Sequence, residues 1–407
     1  MISTEVALIV AVCVFFCGLH YYRSKRVLNT GLIFNAYSIL YFGVGIQYYS
    51  NEYYGGGFSY ELSLLSVLCL VALLAFNLVY VLFSGRACEF SGFELSYCPR
   101  FDTLFLLVVV ALLAEFFIIG VVGPYNYFFV DRLDRFPIMK KYQAVLYLSN
   151  LMNIALPFIL YRYNLTKSEM DKNLLIFVLC HNFFFAIMLI SRSALVYNFL
   201  CLFYWLESTG RVKQKTILLG GAVMVFVIFF YKGFLYGVIL DKEYESFNPG
   251  EFINWIRNSE LVLQAGIDSD NLPNNSYVLA LKSLVVMSPK EDALSEWFIK
   301  EFYSDRVVSG LTYGFSGVIE GYLYLGAVGV FLHFCFVGGL FALIERSKGA
   351  VKVALVVCLL FLMFRIFRSE IYNFLKTYSW FYVYQIFFLV MLDHLIRKKG
   401  VSKRVGL

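Results

Sequence analysis

HNFFFAIMLISRSALVYNFLCLFYWLE, His181 to Glu207, carries a single arginine, Arg192, in an otherwise apolar run with no acid beside it. A charge at the centre of a bilayer costs about 3 kcal/mol even on lenient insertion scales. A helix of about 20 residues crosses the hydrocarbon core, and this run, with the apolar residues before it, is too long for one crossing. Two helices fit, with the break at Ser191-Arg192-Ser193. Arg192 then sits at the outer end of a helical hairpin, not at mid-membrane. The plain alternative is an arginine that snorkels to lipid headgroups.

The rest of the chain agrees with a membrane setting. It is 60% hydrophobic and 19% aromatic, with 15% charged residues, against about 25% charged in soluble domains. The spacing of apolar runs predicts an all-α, polytopic integral membrane protein of eleven helices, about 4–21, 27–49, 61–83, 102–122, 143–161, 173–190, 193–207, 216–232, 315–343, 351–367 and 375–395. The first helix lacks a basic leader and a small-residue cleavage site, so no cleavable signal is expected. The net charge of +6 follows from lysine and arginine gathering on cytoplasmic loops and does not indicate nucleic acid. With eleven helices every basic loop, from Arg23/Lys25/Arg26 to the tail Arg397–Arg404, falls on one side. This puts the N-terminus outside and the C-terminus in the cytoplasm. The nine cysteines form no framework: seven lie in apolar helices, and Cys88 and Cys98 lack zinc-site spacing. They read as reduced thiols.

Three segments follow: an N-terminal bundle over 1–232, an outer loop over 233–314, and C-terminal helices with a basic tail over 315–407. The loop is too patterned for a linker. Ser288, Pro289 and Glu291 form a helix start, followed by an apolar stripe of Leu294, Trp297, Phe298 and Phe302. Asn248, Pro249 and Glu251 repeat the device before Phe252, Trp255 and Ile256. Two or three amphipathic helices are expected on the outer membrane face or over a cavity.

Candidate site residues lie near the outer ends. FRIFRSE places Arg365 and Arg368 three apart, on nearly one helix face, with Glu370 following. Arg132 and Arg135 repeat that spacing, interleaved with Asp131 and Asp134, which also suits a salt-bridged helix. A guanidinium binds phosphate oxygens bidentately and stays charged, so arginines at one depth suit a phosphate-bearing lipid. GFSGVIEGYLYLGAVGVFLHF, Gly314 to Phe334, opens a membrane helix after the loop. Glu320 stands about a turn and a half inside, either ion-paired to an arginine or acting on a sugar hydroxyl as base or orienter. Gly321, Gly326 and Gly329 thin the helix for close packing. Tyr322 and Tyr324 suit substrate contact or an interfacial aromatic belt. His181 and His333 lie in apolar helices and read as structural, and no metal-binding cluster appears on the outer side.

These residues carry a resemblance. An arginine in a short outer turn (LISRSAL), a long outer loop, GFSGVIEGYLYLGAVGV, then a second arginine turn (FRIFRSE) is similar to the Wzy-type O-antigen polymerases, the oligosaccharide repeat-unit polymerases of lipopolysaccharide biosynthesis. Members often read Gly-x-Ser, followed shortly by Gly-Glu-x-Tyr-x-Asn-Phe-Gly-x-x-Gly. Gly314, Ser316, Glu320, Tyr322, Gly326 and Gly329 match; Tyr324-Leu325 and Ile319 depart. Arg368-Ser369-Glu370 looks like an Arg-Gly-Asp/Ser turn altered at its last two positions. The resemblance implies a glycosyltransferase of the bacterial inner membrane, active at the periplasmic face without nucleotide sugar, metal or other cofactor. Donor and acceptor would be glycans on undecaprenyl pyrophosphate, and a chain-length regulator and a flippase would be partners. Arg192, Arg365 and Arg368 would then stabilise the leaving pyrophosphate and Glu320 would serve the acceptor hydroxyl, with Arg132, Arg135, Tyr322 and Tyr324 in contact with substrate. A lipid-linked oligosaccharide flippase is the first rival, though no repeated halves are evident. An O-antigen ligase is the second, though ligases usually carry a histidine in the large outer loop and none occurs between Gly233 and Gly314.

Overall fold

The computed structural model describes residues 3–84, 97–130, 138–139, 141–189, 191–223, 250–267, 272, 275–286, 293–303, 316–347 and 349–405. Helix makes up 87% of the structure, and the described residues contain no strand. The chain is a polytopic helical membrane protein. Among the described residues, eight helices are long and apolar enough to cross a bilayer: Thr4–Ser24, Tyr60–Phe83, Phe101–Val122, Gln143–Thr166, Glu169–Met188, Gly317–Arg346, Gly349–Arg368 and Ile371–Arg397. The stretch expected at 27–49 is helical from Thr30 to Tyr54, with a π turn inside it. Thr30–Ser38 passes through a π turn, Ile39–Val44, into Gly45–Tyr54. The helix expected at 193–207 is Arg192–Ser208, and most of 216–232 lies outside the described residues.

The chain divides into two packed units, neither of them one continuous segment. The first comprises Met1–Glu89, Asn248–Arg346 and Leu362–Ser379. Its core is aromatic. Phe34 stacks on Phe76 with ring centres 3.6 Å apart, and Phe367 lies 5.2 Å from Phe34. Gly338 lets two backbones touch there, because a Cβ on it would stand 2.5 Å from the Phe76 carbonyl oxygen. Without a hydrophobic drive between helices in lipid, such close approach and polar ties hold a bundle together. The ties are present: His20 Nε2 lies 2.7 Å from Asn77 Oδ1, and Glu345 Oε1 accepts both the Thr30 amide and hydroxyl at 3.1 Å.

Helices expected within the loop over 233–314 belong to this unit. Gly250–Ala265 buries Trp255 against Phe42, ring centres 5.6 Å apart. Glu260, 3% exposed, accepts hydroxyl hydrogen bonds from Tyr49, Tyr54 and Ser59 at 2.6–2.7 Å. A buried carboxylate is tolerated when its lone pairs are filled in this way. Asn248 and Pro249 of the expected cap lie outside the described residues, as do Ser288, Pro289 and Glu291. The second expected helix is Leu294–Phe302, with Leu294 and Phe298 buried as the stripe requires. A further helix, Ser276–Val285, is capped by Asn275, whose Oδ1 accepts the Tyr277 and Val278 amides.

The second unit comprises Phe90–Phe247, Ser347–Phe361 and Trp380–Leu407. Here Glu169–Met188 ends and Arg192–Ser208 begins after a short break, with Ser191 Oγ accepting the Ala194 amide as N-cap. Asn182 Nδ2 donates to Asn198 Oδ1 at 3.0 Å and joins the two helices. His181 is not isolated in its apolar run: its Nε2 lies 2.8 Å from Glu115 Oε2. At the opposite end of the unit Asp393, fully buried, accepts from the Arg100 amide, Thr103 Oγ1 and Arg397 Nε at 2.7–2.8 Å.

Candidate functional site

The glycine-rich segment folds differently from a thinned straight helix. Within Gly317–Arg346 the backbone leaves helical geometry at Leu325 (φ −143°, ψ 24°) and Gly326 (φ 59°, ψ −146°). The Gly326 conformation is open essentially to glycine alone. In a straight helix Gly321 and Gly329 would stand about 12 Å apart. Here a Cβ on Gly329 would collide with the Gly321 carbonyl oxygen, and a Cβ on Gly321 would stand 2.8 Å from the Val330 backbone. One on Gly317 would meet His333 Nε2 at 2.7 Å. The order of these approaches shows the arm from Gly317 to Tyr324 running back alongside the arm from Gly326 onward. The longer arm, to Arg346, is about 30 Å by itself, the thickness of a hydrocarbon core. The expectation that the glycines merely thin one helix is therefore corrected: Gly326 makes the reversal, and Gly321 and Gly329 let the arms touch.

The helix begins at Gly317, so Glu320 lies in its first turn, not a turn and a half inside, and it is completely buried. Its Oε2 accepts the Ile371 amide at 2.7 Å. Ile371 is the first residue of the helix Ile371–Tyr378, so Glu320 caps that helix from a remote part of the sequence. Helix N-termini present unpaired amides and favour negative charge. No arginine is among its partners within the described residues. Glu370, also fully buried, immediately precedes Ile371, but its carboxylate turns elsewhere. It accepts the Ser295 amide at 3.1 Å and the Ser295 hydroxyl at 2.9 Å, capping Leu294–Phe302, and Asn373 Nδ2 donates to it at 2.8 Å. Burial pushes the Glu370 carboxyl up to about 7, against the lowering effect of the Ser295 hydrogen bonds. Two acids thus cross-cap two helices.

A hydroxyl-rich wall completes the corner. Tyr277 OH lies 2.9 Å from His333 Nδ1, which is 3.9 Å from Glu320 Oε2. Burial and the Glu320 charge hold the Tyr277 phenol above its ordinary range. Tyr324 OH accepts the Ser276 amide at 2.8 Å, and its ring meets Tyr277 edge-on at 5.6 Å. Tyr324 is thereby engaged in holding the Ser276–Val285 helix start. Ser276 presents a buried hydroxyl to the Glu320 carboxylate. Tyr322 is partly buried on the same arm.

The arginines divide. Arg365 and Arg368 occupy the last turn of Gly349–Arg368, two residues before Glu370 at the nearest. Arg365 Nη1 donates to Thr377 Oγ1 at 3.0 Å, and the Arg368 guanidinium sits 4.8 Å over the Phe364 ring. Both side chains are partly exposed. Arg192 opens Arg192–Ser208 in the second unit. Arg132 and Arg135 lie outside the described residues, as does Gly314 of the glycine motif. Sequence reading named Glu370 without giving it a role, missed Ser295, Ser276 and Tyr277, and took His333 for a structural core residue.

No protein-family model, curated protein or solved structure matches the chain.

Proposed function

We propose that the chain is a membrane glycosyltransferase that polymerises undecaprenyl-pyrophosphate-linked oligosaccharide repeat units into O-antigen or a related surface polysaccharide, at the periplasmic face of the bacterial inner membrane. One observation carries the reading. The two segments on which the resemblance to Wzy-type polymerases rests, GFSGVIEGYLY and FRIFRSE, meet in space through Glu320 and the Ile371 amide. The acid of one motif holds the backbone that follows the arginines of the other.

In this reading the growing glycan passes from its pyrophosphate carrier to a hydroxyl of the incoming unit. The glycosyl–oxygen bond to the donor pyrophosphate breaks as the new glycosidic bond forms, and the acceptor's hydroxyl proton passes to the departing pyrophosphate. Arg365 and Arg368 bind pyrophosphate and neutralise the charge that builds on the leaving group, and Arg192 is a further arginine proposed to act on pyrophosphate. Loss of one such preorganised donor costs about 10²–10³ in rate in other enzymes. Arg132 and Arg135 serve substrate binding. The full complement is eleven spans: the eight above, the helical stretch from Thr30 to Tyr54, Arg192–Ser208, and 216–232. The N-terminus is then periplasmic and the C-terminus cytoplasmic. The pathway's chain-length regulator and flippase are its partners.

A second reading has its own support. Discontinuous membrane helices such as the one broken at Leu325-Gly326 are common at transporter substrate sites, which favours a flippase for the same lipid-linked glycan. A lipopolysaccharide gel separates the two. Deletion of the gene in its own host leaves core plus one repeat unit if the chain polymerises, with the ladder restored by the wild-type chain. Core with no repeat unit points to transport or ligation, and an unchanged ladder overturns the proposal.

A further inference from the structure

Glu320 looks like a general base by its place in the motif, but a base must reach the proton it takes, and this carboxylate is 0% exposed. One of its oxygens is committed to the Ile371 amide. Between the last motif arginine, Arg368, and that amide lie only Ser369 and Glu370. Glu370 is itself tied to Ser295 by two hydrogen bonds. The backbone leaving the arginine turn is thus gripped at two successive residues, once from the glycine hairpin and once from the helix Leu294–Phe302.

Resting on the polymerase reading for its functional consequence, we propose that Glu320 is a positioning residue. Its carboxylate oxygen, bound to the Ile371 amide, fixes the turn that presents Arg365 and Arg368 to the pyrophosphate. The glycine reversal exists to bring that oxygen to the amide. Gly321 and Gly329 press the short arm against the long one, and Gly317 leaves room for His333, which flanks the carboxylate. Reach matters here and charge does not. A glutamine at 320 can place its Oε1 on the Ile371 amide and turn its Nε2 toward the Ser276 hydroxyl that already faces the carboxylate. An aspartate keeps the charge but withdraws the oxygen by one methylene. A base would rank the variants the other way, since glutamine cannot take a proton.

The test combines a structural and a functional readout on the full-length chain. Hydrogen exchange of purified protein in lipid nanodiscs follows peptides covering residues 365–378. Glu320→Asp and Glu320→Ala should exchange there about tenfold or more faster than wild type, the effect of losing one buried hydrogen bond, while Glu320→Gln stays within about threefold. In the host, Glu320→Gln should keep most of the ladder and Glu320→Asp should lose most of it, at matched membrane levels. If Glu320→Ala does not accumulate, the order of Gln and Asp decides alone. Exchange unchanged in Glu320→Asp overturns the positioning role. So does a Gln variant with wild-type exchange and no ladder, which would return Glu320 to proton transfer. If the wild-type chain itself restores no ladder, the polymerase reading fails, and the exchange data still decide whether Glu320 fixes the turn.

Discussion

Glu320 Oε2 accepts the Ile371 amide at 2.7 Å across 51 residues of sequence. The bond brings the acid of the glycine motif to the residue that follows the arginine turn. It also gives a membrane-embedded carboxylate a role that needs no positive partner, since a helix N-terminus supplies partial positive charge.

The glycine hairpin makes a graded prediction. Gly326→Ala meets nothing within 4 Å, so its cost is backbone strain alone, about 1–3 kcal/mol. Gly329→Ala drives a methyl into the Gly321 carbonyl and must part the two arms. Thermal unfolding in detergent should therefore rank Gly329→Ala below Gly326→Ala, and both below wild type. Gly18→Ala, also with open space around it but at an ordinary helical position, should leave the midpoint unchanged. Equal midpoints for all three variants would refute the reversal.

The buried Glu370 makes a pH prediction. Its carboxyl sits at about 7 against a usual value of 4.5. A folded-state pKa above the unfolded one adds stability that is full below about 4.5 and is lost as pH rises through about 7. The whole difference is worth about 3 kcal/mol. The melting temperature of the solubilised protein should fall from pH 5 to pH 8, and Glu370→Gln should flatten that fall. A wild-type profile rising over the same interval would count against the assignment.

Glu260 ties the helix Gly250–Ala265 to the bundle through three hydroxyls. Glu260→Ala strands Tyr49, Tyr54 and Ser59 and should destabilise by more than about 3 kcal/mol. Limited proteolysis should then cut between Gly233 and Gly314 faster than in wild type. Glu260→Gln, which keeps one acceptor, should fall between the two.

The arginine turn predicts a chemical preference. Arg368→Lys keeps the charge but loses the flat fork that matches phosphate oxygens. It should retain no more than about a tenth of wild-type ladder length or yield, little better than Arg368→Ala. Full activity in the lysine variant would leave only a general attraction between charges.

Local signals carried much of this fold. Apolar runs of membrane length marked the helices, and the polar Ser191-Arg192-Ser193 marked the break between Glu169–Met188 and Arg192–Ser208. The stripe Leu294, Phe298 placed the helix Leu294–Phe302, though it begins after the expected Ser288 cap. What sequence could not show is through-space. Glu370 looks like a helix-preceding acid that would serve its own helix, whereas it serves Ser295, 75 residues away. Gly326 looks the same as Gly321 and Gly329 in a string of letters. Only its backbone angles separate a residue that turns the chain from residues that let it pack. His333 lies in an apolar run, and the reversal at Gly326 is what brings Glu320 to its side.

The central claim is polymerisation, and its most direct measurement uses purified components. Lipid-linked repeat units extracted from the deletion strain are incubated with the purified chain in proteoliposomes, without nucleotide sugar, and the glycans are released and sized. The account predicts a ladder of multiples of the repeat unit with wild type and, at the same protein level, single units with Arg368→Ala. Single units with the wild-type chain as well, under conditions where it is folded and the substrate accessible, would contradict it.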